Sequence, residues 1–225
     1  MTLVCALLLL VLVCLTASIS HAADTSVRER TVQVSDALVF VRDAGPPDGA
    51  PVLLLHGSAF HSGTWHELGT LAYLADRGYR VFAVDLPAYG ESSATTEGHL
   101  PFMEALFNAL ALDRPAIVCP SMSGRFAFPV AIQAPRKLRA FIPVAPAAIS
   151  THRGRLNEIS APTLIVWGTE DAVFPVSDAD LLDREIPTSR VLLIEGAPHP
   201  CYLDNAEVFH EGLVAFLDEV KGAGE

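Results

Sequence analysis

The sequence predicts a doubly wound α/β domain whose sheet is mostly parallel. Uninterrupted apolar runs alternate along the chain with segments of helical pattern, and such runs are typical of strands buried on both faces of a sheet. The chain has 225 residues, of which 51% are hydrophobic, enough to build one domain with a well-filled core. We expect this domain to span residues 27–221.

The elements follow in chain order. An opening hairpin is predicted from two short segments rich in β-branched residues, at 31–34 and 38–41. Buried strands are then expected at 52–55, 81–84, 116–119, 141–144, 164–167 and 191–194. Helices are expected at 65–76, 102–112, 124–133, 177–186 and 207–220. Alternation of this kind places helices on both faces of one sheet.

The first 22 residues are predicted to be a signal peptide or a signal anchor rather than part of the domain. Every residue in the range 3–15 is apolar, and Ser20-His21-Ala22 fits a small-x-small cleavage site. An uncleaved anchor is the alternative, because the stretch 3–19 reaches the lower limit of a membrane span. Both readings predict the secretory pathway, with a secreted or single-pass product that contacts a membrane only through this segment.

Composition argues against several classes of function. The formal net charge is −11 and no run is rich in Lys or Arg, so nucleic-acid binding through a basic patch is not expected. Outside the leader only Cys119 and Cys201 remain, too few for a disulfide framework and wrongly spaced for a zinc site. We expect two buried thiols and no metal or redox cofactor.

Residues with catalytic chemistry follow the ends of three predicted strands. Ser121 and Ser123 come after 116–119, Asp171 follows 164–167, and His199 follows 191–194. Ligands of parallel sheets bind beyond the carboxyl ends of the strands. A serine, an acid and a histidine in this order are typical of the α/β-hydrolases, whose nucleophile occupies a strained strand-to-helix turn. Glu170 is the competing candidate for the acid.

A set of different short motifs is spread over nearly the whole mature chain, from about residue 31 to residue 217. They are Leu53-Leu-Leu-His-Gly57, Thr64-Trp65, Leu68-Gly-Thr-Leu71, Arg77-Gly-Tyr-Arg80, Asp85-Leu-Pro87, Pro120-Ser-Met-Ser-Gly124, Pro143-Val-Ala-Pro146 and His199-Pro-Cys-Tyr-Leu203. In these motifs the sequence resembles the alpha/beta-hydrolase domain-containing protein 14 family of the α/β-hydrolase superfamily. The resemblance implies that the nucleophile is Ser121 and the acid Asp171. The hydrophobic leader is similar to the membrane-associated branch of that family.

Steric reasoning also favours Ser121 over Ser123. The residues two before and two after the nucleophile pack against each other and must be small. For Ser121 these neighbours are Cys119 and Ser123, whereas for Ser123 one of them would be Arg125, which should clash. The pattern departs from G-x-S-x-G because neither neighbour is glycine, but Cys and Ser add little volume.

The remaining roles follow from the chemistry of acyl transfer. His199 is predicted to be the general base, and Asp171 is predicted to orient its imidazole and stabilise the imidazolium. An oxyanion needs preorganised backbone donors. The N–H groups of Ser58 and Met122 are predicted to supply them.

Other polar residues are expected to be structural. His56 is predicted to shape the oxyanion turn, and Asp85 to cap its own loop. The other histidines are expected at the surface: His61, His66, His99, His152 and His210.

Only the thirteen residues 150–162 connect the strand at 141–144 and its following loop to the strand at 164–167. They are too few for a cap domain, so we expect an open site suited to small acyl groups. The predicted function is a carboxylesterase-like serine hydrolase that cleaves short-chain acyl esters or thioesters through an acyl-enzyme. One alternative is an acyltransferase that passes the acyl group to a thiol such as coenzyme A. The other is a non-catalytic interaction protein on a hydrolase scaffold.

Overall fold

A computed structural model describes residues 26–222 of the chain. In this range the protein is an eight-stranded, mostly parallel sheet with helices on both faces and without a cap domain, as the sequence predicted. The predicted signal peptide or anchor at 1–22 lies outside the described residues. None of the helices within 26–222 is long and apolar enough to cross a membrane.

The strands lie in the order β1-β2-β4-β3-β5-β6-β7-β8. Their bounds are β1 Arg28–Val34, β2 Ala37–Ala44, β3 Ala50–Leu54, β4 Tyr79–Val84, β5 Ala116–Pro120, β6 Ala140–Val144, β7 Thr163–Gly168 and β8 Ser189–Ile194. β1 and β2 form the predicted hairpin, and β2 pairs antiparallel with β4. All other neighbouring strands are parallel, so their carboxyl ends meet at one edge of the sheet.

The helices cover both faces of this sheet. Their bounds are α1 Ser62–Glu67, α2 Thr70–Ala75, α3 His99–Ala109, α4 Gly124–Gln133, α5 Ile149–His152, α6 Ser177–Glu185, α7 Cys201–Asp204 and α8 Ala206–Gly222. The single helix predicted at 65–76 is wrong. Gly69 has a φ of +78° and divides that segment into α1 and α2, since a left-handed residue cannot continue a right-handed helix.

The core consists of two hydrophobic layers, one on each face of the sheet. Every residue of β5, β6 and β7 is buried, as the uninterrupted apolar runs predicted. β8 differs because it is the edge strand: Leu193 is 47% exposed although it lies in an apolar run. His210 was expected at the surface but is buried, and its Nε2 lies 2.9 Å from Thr70 Oγ1.

Candidate active site

Ser121 stands at the sharp turn between β5 and α4. Its φ is +49°, in the left-handed region that a residue with a side chain enters at a cost of about 1–3 kcal/mol. A short 3-10 turn, Ser121–Ser123, follows it and leads directly into α4. The carbonyl oxygen of Ser121 accepts a 2.7 Å hydrogen bond from the Ala147 N–H, which ties the turn to the loop after β6. Strained positions of this kind cluster at active sites.

Of the two serine hydroxyls in this turn, that of Ser121 is the one without a hydrogen-bond partner among the described residues. Ser123 is fully buried, and its hydroxyl donates a 2.8 Å hydrogen bond to the Pro120 carbonyl. Arg125 points outward and is exposed. Gly124 allows α4 to approach the loop after β6, because a Cβ there would lie only 2.5 Å from the Ala147 carbonyl oxygen.

His199 and Asp171 are joined by a hydrogen bond. The Nδ1 of His199 lies 2.8 Å from the Oδ2 of Asp171, whose side chain is only 1% exposed. The other carboxylate oxygen accepts hydrogen bonds from the backbone N–H groups of Val173 and Phe174, at 2.8 and 2.9 Å. These bonds orient the carboxylate toward the imidazole. Glu170, the competing candidate, is exposed.

The loops that carry Asp171 and His199 are locked together. The Glu170 N–H donates to the Ala197 carbonyl at 3.0 Å, and the Gly196 N–H donates to Thr169 Oγ1 at 2.8 Å. Gly168 makes the approach possible, because a Cβ there would lie 2.2 Å from the Ala197 carbonyl oxygen. A side chain at position 168 would therefore force the two loops apart.

A small cavity joins the residues that the sequence singled out. Its volume is about 200 Å³, and it is lined by Gly57, Ser58, Ala59, Phe60, Pro120, Ser121, His199, Pro200 and Tyr202. The turn at Gly57 lies close to the serine, since a Cβ on Gly57 would be 3.5 Å from Ser121 Cβ. None of the hydrogen bonds within the described residues uses the Ser58 N–H. Met122 follows Ser121 in the chain but is not among the lining residues.

His56 shapes the turn that presents Ser58. Its Nε2 accepts a 2.9 Å hydrogen bond from the Leu86 N–H, so its Nδ1 carries the proton and donates to the Gly57 carbonyl at 2.8 Å. Burial lowers the pKa of His56, which favours this neutral form. Asp85 accepts hydrogen bonds from the N–H groups of Ser62 and Glu91, at 2.7 and 2.9 Å. Both residues therefore have the structural roles predicted for them.

Comparison with known proteins identifies the family of this chain. The family model for the alpha/beta hydrolase fold matches residues 50–156. Human ABHD14B, whose name gives protein-lysine deacylase as a provisional activity, is 40% identical over 207 residues, 87% of this chain and 98% of that protein. Mouse ABHD14A is 37% identical over 177 residues, 76% of this chain and 71% of that protein. The chain belongs to the ABHD14 family of α/β-hydrolases.

A solved hydrolase structure shares the fold of this chain. A CIB-like hydrolase of Thermoplasma acidophilum superposes with a TM-score of 0.82 at 28% identity, covering 85% of this chain and 98% of that one. Both ABHD14A and ABHD14B are matched at similar identity, so the resemblance to the membrane-associated branch stays a prediction.

The described residues of this ABHD14-family hydrolase include two cysteines, Cys119 and Cys201, and both are buried. Burial raises the pKa of Cys119 well above its ordinary value. Burial, assisted by the charge of Asp171, raises the pKa of Cys201 to about 12. Because the thiolate is the reactive form, neither thiol is a nucleophile at neutral pH. Among the described residues no group of three or more His, Cys, Asp or Glu could hold a metal ion.

Three aromatic residues of the site were missed by reasoning from the sequence, and one of them, Phe60, lines the cavity. The ring of Phe174 meets the His199 imidazole edge to face, with centroids 5.5 Å apart. Tyr202 lines the cavity and stacks on Trp65 at 4.7 Å. Nothing in the pattern of the loop 169–176 signals Phe174. Tyr202 was named only as part of the His199-Pro-Cys-Tyr-Leu203 motif.

Proposed function

We propose that this ABHD14-family hydrolase is a serine hydrolase that cleaves short-chain acyl esters or thioesters through an acyl-enzyme on Ser121. One observation carries the proposal. Ser121, held at a φ of +49°, opens into the same cavity as His199, whose Nδ1 is 2.8 Å from Asp171 Oδ2. This combination of a strained serine, a base and an orienting carboxylate is the arrangement that activates a serine hydroxyl.

In the proposed reaction these groups act in sequence. His199 removes the hydroxyl proton as Ser121 Oγ attacks the acyl carbonyl carbon, and Asp171 stabilises the imidazolium. The oxyanion is stabilised by the N–H groups of Ser58 and Met122. The intermediate collapses, and the leaving group takes the proton from His199. Water then attacks the acyl-enzyme while His199 takes its proton, and His199 returns a proton to Ser121 Oγ as the acid product leaves.

The size of the site supports a small acyl group. The cavity of about 200 Å³ is smaller than the roughly 300–1,000 Å³ that drug-sized ligands occupy. Phe60 and Tyr202 are among the residues that line it. The capless edge of the sheet leaves room for a bulky leaving group outside the cavity.

A protein substrate is a second candidate. The provisional activity in the name of ABHD14B is removal of acyl groups from protein lysines, and an open site suits an acyl group carried on a macromolecule. Transfer of the acyl group to a thiol such as coenzyme A shares the same acyl-enzyme. Rates measured on acyl-lysine peptides and on thioesters, with and without added thiol, distinguish these reactions.

The leader bears on where the reaction takes place. The apolar segment at 3–15, followed by small residues up to Ala22, supports entry into the secretory pathway. N-terminal sequencing of secreted protein should begin at Ala23 or Asp24. An intact Met1 in carbonate-washed membranes would establish the anchored form instead.

The decisive test is covalent labelling with a fluorophosphonate probe. Ser121→Ala should abolish the label and lower kcat by roughly 10⁴ or more, since only binding and oxyanion contributions remain. Ser123→Ala is the matched control, because it removes a hydroxyl two residues away, within the same turn, that is already hydrogen-bonded to the Pro120 carbonyl. An adduct mapped to Ser123 would overturn the assignment.

A further inference from the structure

A second concave surface lies beside the serine, along the start of α4. It is a groove of about 460 Å³ lined by His99, Arg125, Pro129, Ala148, Ser150, Thr151 and His152. The lining residues include one arginine, Arg125, and two histidines, His99 and His152. None of the lining residues is acidic. We call this surface the basic groove. It stands out in a chain whose formal net charge is −11.

The basic groove is continuous with the surroundings of Ser121. Ala147, whose N–H is bonded to the Ser121 carbonyl, lines an intervening cavity of about 440 Å³. That cavity also contains Phe174, the residue in contact with the His199 ring. It shares Ala148 and Ser150 with the basic groove. The loop after β6 therefore leads from the turn at Ser121 toward the groove, although the cavity at Ser121 shares no lining residue with either of these surfaces.

The intervening cavity has no net preference for one sign of charge. Arg153 and Asp178 both line it, so their charges offset each other. Selection by charge is therefore confined to the basic groove.

Arg125 is placed where a cation has no structural benefit. It lies in the first turn of α4, which contains no acidic residue, and a positive charge near a helix N-terminus is unfavourable. Within residues 26–222 it has no ion pair and no side-chain hydrogen bond. Residues that break a local rule without compensation are typical of functional sites.

The two histidines are held by packing and keep their nitrogens free. The ring of His99 lies against Phe126 with centroids 4.3 Å apart, and that of His152 lies 5.5 Å from Phe128. No hydrogen bond among the described residues involves the nitrogens of either ring. Both rings can therefore donate an N–H to a ligand in the groove.

We propose that the basic groove binds an anionic group of the substrate, such as a carboxylate, sulfonate or phosphate, while its acyl carbonyl is at Ser121. The proposal rests on the proposed function and adds the chemical class of substrate that the site selects. The anion belongs either to the leaving group or to the far end of the acyl chain, and the recognition chemistry is the same for both.

Two series of thioesters test the proposal and identify which end carries the anion. The first holds the acyl group constant as acetyl and varies the thiol: 2-mercaptoethanesulfonate, 2-mercaptoethanol and thiocholine, with charges of −1, 0 and +1. The second holds 2-mercaptoethanol constant and compares a pentanoyl group with the mono-adipoyl group, which ends in a carboxylate. The measured quantity is the ratio of kcat/KM for the anionic substrate to that for the neutral one.

We expect one of the series to favour the anionic member by about tenfold, because a hydrogen bond to a charged group at a partly exposed site is worth on the order of 1.4 kcal/mol. Arg125→Gln should remove most of that preference. Arg125→Glu should reverse it toward the thiocholine ester. Glutamate is favourable in a first helical turn, so this variant should fold. Arg136→Gln, an exposed arginine outside the groove, should leave the ratio unchanged.

Equal kcat/KM values within both series, or a preference that survives Arg125→Glu, would overturn the proposal. Failure of the proposed function looks different, because then no thioester is cleaved and Ser121 is not labelled. In that case the groove is tested by titrating 2-mercaptoethanesulfonate and following the imidazole C–H resonances by NMR. Shifts of the His99 and His152 signals that Arg125→Glu abolishes would support anion binding, and unshifted signals would refute it.

Discussion

Replacing Gly168 by alanine is expected to separate the loops that hold Asp171 and His199. The new Cβ would lie 2.2 Å from the Ala197 carbonyl oxygen and 2.9 Å from its carbon, whereas ordinary contacts begin at 3.4 Å. The loops must then move apart by about 1 Å to relieve the overlap. A movement of that size would stretch the 2.8 Å bond between His199 and Asp171 beyond hydrogen-bonding range.

This displacement should affect catalysis more than stability. A misplacement of about 1 Å in a catalytic group can lower kcat by about 100-fold. The extra methyl group should cost about 1–3 kcal/mol of unfolding free energy, as overpacking in well-packed regions does. Most of the protein should therefore stay folded while the rate of acyl transfer falls.

The assay is kcat on an acetyl ester, combined with urea unfolding and the rate of fluorophosphonate labelling. Gly154→Ala is the matched control, because a Cβ at Gly154 would meet nothing within 4 Å. A Gly168→Ala enzyme that is less stable but keeps its kcat within twofold would refute the reasoning. It would mean that the loop contact does not position His199.

Three further predictions concern the elbow, the cavity and the hairpin. Ser123→Leu should lose fluorophosphonate labelling, because leucine at this fully buried position distorts the turn; retained labelling would contradict the packing argument. Wild-type kcat/KM should be at least tenfold higher for two-carbon than for sixteen-carbon acyl esters, which corresponds to about 1.4 kcal/mol in the activation barrier. Phe60→Ala should lower this ratio of kcat/KM values. A wild-type preference for long chains would contradict the small cavity. Burial raises the pKa of Asp43, but hydrogen bonds from Arg80, Arg30 and Arg28 outweigh it and lower the pKa below its ordinary value. Asp43→Asn should therefore cost about 2 kcal/mol at neutral pH. Urea titrations should show this difference beginning to shrink below about pH 4, where the unfolded carboxyl is protonated, and disappearing once the pH falls through the lowered pKa of the folded state. A difference independent of pH would exclude the ionised carboxylate as its cause.

The sequence by itself determined the layers of the fold and the positions of the candidate residues. Runs such as Ala116–Pro120 are apolar at every position because both faces of the sheet are covered. The apolar pattern belongs to the strand's own residues, and for the central strands it predicts burial without knowledge of their neighbours. The residues on either side of Ser121 are small because the sharp turn leaves little room for side chains there, which is also a local property of the sequence. The φ of +49° at Ser121 agrees with such a turn. The carboxyl ends of parallel strands share one edge, so chain order alone brought serine, acid and histidine to the same region.

Only the tertiary structure decided which neighbouring side chains meet. Glu170 and Asp171 are adjacent carboxylates, and the backbone donors of Val173 and Phe174 turn Asp171 toward His199. The buried His210 is hydrogen-bonded to Thr70, 140 residues away, and the exposure of Leu193 depends on β8 being the outermost strand. The basic groove likewise gathers His99, Arg125 and His152 from three helices. Such pairings arise from long-range packing, which leaves no periodic signal in the local sequence.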